Sequence, residues 1–125
     1  MEGQDRRALV GLHNLKVMKP FVGLFQNHGF EVDTATTEEE AVRKVREKEY
    51  DACLMDINLG RPVQPYITPS QRVYEIMKQR CEAGQARFLA ISGLDRAVEL
   101  AKSAGIPATL NTDFKIINGT FFEDG

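Results

Sequence analysis

Short apolar runs alternate along this chain with longer stretches whose apolar residues recur at helical spacing. Ala8 to Val10, Phe30 to Ala35, Tyr50 to Ile57, Arg87 to Ile91 and Ala108 to Thr112 are runs of strand length. Between them, Asn14 can cap a helix in which Val17, Phe21, Leu24 and His28 fall on one face, closed by Gly29. Pro20 inside that stretch requires a kink, or a start only a few residues earlier. Thr36 and Thr37, followed three residues on by Glu39 and Glu40, form overlapping capping boxes. They open a helix running to about Glu49, with Ala41, Val42 and Val45 inward and a solvated surface of mixed charge. Thr68-Pro69-Ser70-Gln71 joins an N-cap, a first-turn proline and a reciprocal glutamine. Val73, Ile76, Met77 and Cys81 form the inward face of that helix, and Gly84 ends it. Asp95 can cap a fourth helix, with Leu94, Val98 and Ala101 inward and Gly105 as its stop.

Strict strand-helix alternation predicts an α/β fold, a three-layer doubly wound sheet of five parallel strands, because parallel strands need right-handed crossovers. The end of the chain departs from that rhythm. Phe114 to Phe122 carries Asn118-Gly119 between two β-prone runs, a strong hairpin signal. An irregular or hairpin-like terminus is therefore expected in place of a full last helix, a very short helix being the alternative.

Composition narrows the function. The 125 residues suit one domain, 1–125, and the net charge of -2 leaves no basic excess for nucleic acid. No apolar stretch is long enough to span a membrane and Met1 to Arg7 is polar, so a cytoplasmic protein is expected. Cys53 and Cys81 make neither a metal spacing nor a disulfide framework and read as packed thiols.

One ionisable group stands out. Tyr50 to Ile57 is an apolar strand that delivers Asp56 to its C-terminal end, where open parallel sheets place ligands and chemistry. Phe88 to Ile91 delivers Ser92 and Gly93 to the same edge. The loop from Asn58 to Thr68 holds Gly60, Pro62 and Pro65, and its length fits either a segment over that edge or a surface insertion.

These stretches together resemble the receiver domain of two-component response regulators. Tyr50-Asp51-Ala52-Cys53-Leu54-Met55-Asp56 is similar to its third strand, and Phe88-Leu89-Ala90-Ile91-Ser92-Gly93 to its fourth. Gly29-Phe30-Glu31-Val32 resembles the entry to its second strand, and Ala104-Gly105-Ile106-Pro107 the approach to its fifth. The resemblance spans Ala8 to Phe114. It implies a flavodoxin-like strand order of 2-1-3-4-5, Asp56 as phosphoacceptor, Ser92 as switch residue, and a histidine kinase or effector protein as partner.

Three departures bear on that chemistry. The family's adjacent acidic pair after the first strand, which binds Mg²⁺ with the phosphoacceptor, is replaced by Leu12 and His13. Leucine offers no oxygen to Mg²⁺ and imidazole prefers softer metals, so only Asp56 and the Asn58 carbonyl remain for it. The family's lysine and proline at the end of the fifth strand align with Thr112-Asp113, with Lys115 three residues on. The loop after Asp56 is also longer than the family's. Phosphoryl transfer depends on positioning and charge neutralisation. An atypical, or pseudo-, receiver is therefore expected, acting in phosphorelay-type signalling through protein contacts, with Mg²⁺-dependent phosphorylation of Asp56 impaired. Its alternatives are a working receiver phosphorylated on Asp56, or a small-molecule or enzymatic module in which His13, Asp56 and Ser92 converge.

Overall fold

The first strand, β1 (Arg6–Gly11), is buried from Ala8 onward, because it lies between two neighbours and under helices on both sides. The structure is a computed structural model that describes residues 6–60 and 67–123. After β1 the chain runs α1 (Leu15–Asn27), β2 (Phe30–Ala35), α2 (Glu38–Glu47), β3 (Ala52–Asp56) and α3 (Thr68–Glu82). It continues through β4 (Arg87–Ser92), α4 (Asp95–Ser103), β5 (Ala108–Leu110) and α5 (Phe114–Phe121). All strand pairs are parallel, in the order β2-β1-β3-β4-β5.

The period-two geometry of a strand divides the core between the two faces of the sheet. Ala52 and Leu54 of β3 join Ala8, Val10, Leu89 and Ile91 under Met18, Phe21, Phe25, Ile117 and Phe121 of α1 and α5. Cys53 and Met55 join Leu9, Phe88 and Ala90 under α2, α3 and α4. Gly11 is needed where β1 ends. A Cβ there would come within 3.2 Å of Leu59 Cδ2 and 3.3 Å of Met55 Cβ, so its absence lets Leu59 pack beside the strand. Gly29, Gly84 and Gly105 have positive φ just past α1, α3 and α4, which is the left-handed stop their positions predicted.

Two lysines from α2 and its C-terminal end reach Asp33 and Thr34 of the outer strand β2. Lys44 Nζ donates to the Thr34 carbonyl, while Lys48 Nζ and the Tyr50 hydroxyl both reach Asp33 Oδ2, at 3.1 and 2.6 Å. The two donors hold the Asp33 carboxyl below its usual range, the tyrosine hydrogen bond being the largest cause.

Five local expectations are corrected. The tail is a helix. Asp113 Oδ1 accepts the Ile116 N–H at 3.1 Å and so caps α5, and Asn118-Gly119 continues it. Ile117 and Phe121, one turn apart, cover the sheet beside Phe25, a burial that a hairpin would forgo. The inward face of α1 is Met18, Phe21 and Phe25, one position on from the stripe read at Val17 and Leu24. The start of α1 at Leu15, a few residues before Pro20, is one of the two readings and needs no correction. Helix α3 has Ile67 at its N-cap with no side-chain hydrogen bond, Thr68 being already helical. Leu94 is 55% exposed at the N-cap of α4, where Ala97 takes the inward place.

The fifth correction concerns α2, whose charged surface is not wholly solvated. Glu38 is 4% exposed, and its Oε2 takes the guanidinium of Arg72 from α3. The capping is close to expectation: Thr37 Oγ1 accepts the Glu40 N–H at 3.1 Å, and Glu40 Oε1 accepts the Thr36 N–H at 2.9 Å. No helix among the described residues is long and apolar enough to cross a membrane.

Candidate functional site at the C-terminal edge of the sheet

Gly11 lies opposite Met55, so the chain leaving β1 runs directly past Asp56 at the end of β3. Two residues on, His13 meets it. The His13 backbone N–H donates to Asp56 Oδ2 at 3.0 Å, and the imidazole Nδ1 lies 3.2 Å from the same oxygen. The carboxylate side chain is 16% exposed, whereas His13 is 60% exposed. Burial pushes the Asp56 carboxyl above its ordinary value, and the hydrogen bonds and charge of His13 pull in the opposite direction without cancelling it.

A titration consequence follows. A carboxyl with a raised folded pKa holds its proton more tightly in the folded state, so ionising it costs stability as pH rises. That cost is complete above the folded pKa and absent below the unfolded one. Asp56→Asn is therefore expected to raise the melting temperature by a few degrees at pH 7, the gain fading as pH falls into the ordinary carboxylate range. Thermal unfolding of both proteins across that pH span checks it, and a gain independent of pH would contradict this origin.

Leu12, the other residue after β1, does not face the site. It is 1% exposed and packs with Val10, Met18, Leu54 and Ile117. Ser92, buried at the end of β4, accepts the Leu94 N–H through Oγ at 3.1 Å and so closes its own loop. Thr112 is exposed, and its neighbour Asp113 is committed to capping α5. Lys115 is exposed on the first turn of α5. Asn58 is half-buried just past β3. Of the loop from Asn58 to Thr68, residues 61–66 lie outside those described, and with them the reading that it folds over this edge.

These donors do not fit Mg²⁺. A site for it needs several oxygens in near-octahedral array. Here the oxygen of Asp56 that faces β1 already accepts two contacts from His13, and Leu12 is packed in the core. Among the described residues no group of three or more His, Cys, Asp or Glu side chains could hold a metal. Of His13, Asp56 and Ser92, the first two are hydrogen-bonded to each other, whereas Ser92 Oγ is bonded to the Leu94 N–H. The topology had already put both residues at this edge; the bond between them joins positions 43 residues apart.

No family model matches this chain, and no curated protein does. Solved structures do. A response regulator protein from Burkholderia pseudomallei, with a phosphorylated aspartic acid, calcium ion and citrate, superposes with a TM-score of 0.70 at 16% identity, over 94% of this chain and 68% of that one. Response regulator protein TrrA from Thermotoga maritima, in complex with Mg²⁺ and BeF, gives 0.67 at 22% identity over 91% and 94%. The receiver domain of a sensor histidine kinase from Pseudomonas aeruginosa, with a magnesium ion in its active-site cleft, gives 0.68 at 18% identity over 94% and 98%. With its strand order of 2-1-3-4-5 and five helices, the chain has the flavodoxin-like fold of response regulator receiver domains.

Proposed function

We propose that this chain is an atypical receiver domain, a cytoplasmic signalling module that works through contact with a protein partner, a histidine kinase or an effector. In this reading Mg²⁺-dependent phosphorylation of Asp56 is impaired and the domain turns over no small-molecule substrate. The observation that carries it is that Asp56 Oδ2 already accepts the His13 backbone N–H and contacts the His13 imidazole. Phosphoryl transfer to a carboxylate needs charge neutralisation, and among the described residues neither a group of carboxylates that could hold a metal nor a lysine at the end of β5 supplies it.

The rim of the same edge supports a protein partner. Leu15, Leu94 and Phe114, each at the start of a helix that rises from the C-terminal edge of the sheet, are 66%, 55% and 47% exposed. Large apolar side chains around a polar centre suit a protein interface. Such a contact would cover His13 and Asp56 together.

The test uses acetyl phosphate with Mg²⁺ and intact-mass measurement. Little or no phosphoryl adduct is expected on Asp56. A high-occupancy adduct that disappears in Asp56→Asn would overturn the reading and establish a working phosphoacceptor. The enzymatic alternative has less support, because Ser92 Oγ is engaged by the Leu94 N–H and lacks a base beside it.

A further inference from the structure

The contact between His13 and Asp56 has the form of a carboxylate-imidazole dyad, and we propose that it makes His13 Nε2 a phosphoryl acceptor toward nitrogen-phosphorylated donors. This inference rests on the reading that Asp56 is a poor acceptor itself. When Asp56 is ionised its Oδ2 can only accept, from the His13 backbone N–H and from the ring alike, and the shared proton then sits on Nδ1. That fixes the tautomer. The lone pair is then on Nε2, on the far side of the ring from Asp56, in a side chain that is 60% exposed.

A carboxylate bonded to the first nitrogen of an imidazole orients the ring and raises the basicity of the second. In this protein the carboxylate is largely buried at a strand end, while the ring beside it lies on the solvent side. A neutral imidazole is a competent nucleophile without a metal, which separates this chemistry from that of the carboxylate. His13 also immediately precedes Asn14, the N-cap of α1, and Lys16 in the first turn is exposed. A phosphoryl group on Nε2 would lie near that positive helix end.

The step balances with a phosphoramidate as donor. The Nε2 lone pair forms the new N–P bond, the P–N bond of the N-protonated donor (H₃N⁺–P) breaks, and its nitrogen keeps the bonding pair and leaves as neutral ammonia. Nδ1 keeps its proton, and the positive charge that develops on the ring is met by Asp56. A phosphohistidine on a partner protein belongs to the same donor class, its imidazole taking the place of ammonia.

The second histidine provides an internal control. His28 Nδ1 meets the Leu24 carbonyl at 2.9 Å, and its ring stacks on Phe122 with 4.0 Å between centroids. No carboxylate takes part in those contacts.

The experiment incubates the full chain with phosphoramidate in the presence of EDTA and reads the intact mass. Peptide mapping and the stability of the adduct to acid and alkali then identify the linkage. The expected result is one phosphoryl group on His13, labile to acid and stable to alkali, absent in His13→Gln. In Asp56→Asn it should form about tenfold more slowly. An adduct confined to His28, equal labelling of both histidines, or no adduct would overturn the inference. So would a rate unchanged in Asp56→Asn. An alkali-labile adduct retained in His13→Gln would place the group on Asp56, and that outcome defeats the inference and weakens the impaired-acceptor reading as well. Because the linkage chemistry differs, failure of the histidine assignment alone is distinguishable from failure of that reading, which is tested with acetyl phosphate and Mg²⁺.

Discussion

Leu12→Ala is expected to cost about 2–5 kcal/mol of stability, while His13→Ala, its neighbour, is expected to change stability by less than about 1 kcal/mol. Leu12 is 1% exposed and touches the layer formed by Val10, Met18, Leu54 and Ile117, so truncation removes apolar burial and leaves a cavity between α1 and the sheet. His13 is exposed, and its backbone N–H, which an alanine keeps, continues to donate to Asp56. Urea denaturation of both variants measures the difference. The contrast bears directly on the site, because a leucine that served the active edge would be dispensable to the fold. Introducing aspartate at position 12, as an attempt to restore a metal ligand, would bury a charge in the same apolar layer and is expected to unfold the domain before it binds anything.

Arg72→Ala is expected to cost about 2 kcal/mol, more than an exposed ion pair would. Its partner Glu38 opens α2, where the helix dipole favours a carboxylate, but the side chain is 5% exposed and the guanidinium reaches it from α3. Removing the arginine takes the α3 guanidinium away from a buried carboxylate. Arg72 is itself 44% exposed, which keeps the expected cost below that of a wholly buried pair. Glu38→Gln/Arg72→Ala, which removes both charges, should recover part of the loss. A double-mutant cycle by urea denaturation with zero coupling would contradict this account.

Much of the architecture was legible because each strand is a short apolar run and each helix is punctuated. Gly29, Gly84 and Gly105 mark helix ends by the one backbone region they tolerate better than other residues. Errors arose where a local signal competed with a tertiary one. The Val17-Phe21-Leu24-His28 stripe is adjacent to Met18-Phe21-Phe25, and what decides between them is that Phe25 fits among Phe30, Phe121 and Phe122, which are distant in sequence. Asn118-Gly119 is a turn signal by composition, but Asp113 caps the segment and Ile117 and Phe121 bury it. Glu38 was read as solvated because its partner is 34 residues away.

The site follows the same rule. That Leu12 and His13 stand where receivers carry an acidic pair was an expectation drawn from the resemblance. That one turns into the core while the other clasps Asp56 depends on how the end of β1 passes the end of β3. Ser92 was placed correctly at the edge, but its hydroxyl is spent on the Leu94 N–H, a local bond that residue identity does not announce.

The lysines along β2 have a consequence beyond holding Asp33 and Thr34. An open sheet ends in a strand whose outward carbonyls and N–H groups are a template for a strand of another molecule. With Lys44 on the Thr34 carbonyl and Lys48 beside Asp33, a second copy that approached this border would have to strip both charges of their partners before a ladder could form. This chain thus carries a built-in deterrent to aggregation along its β2 edge, and self-association by sheet extension is directed away from that side of the molecule.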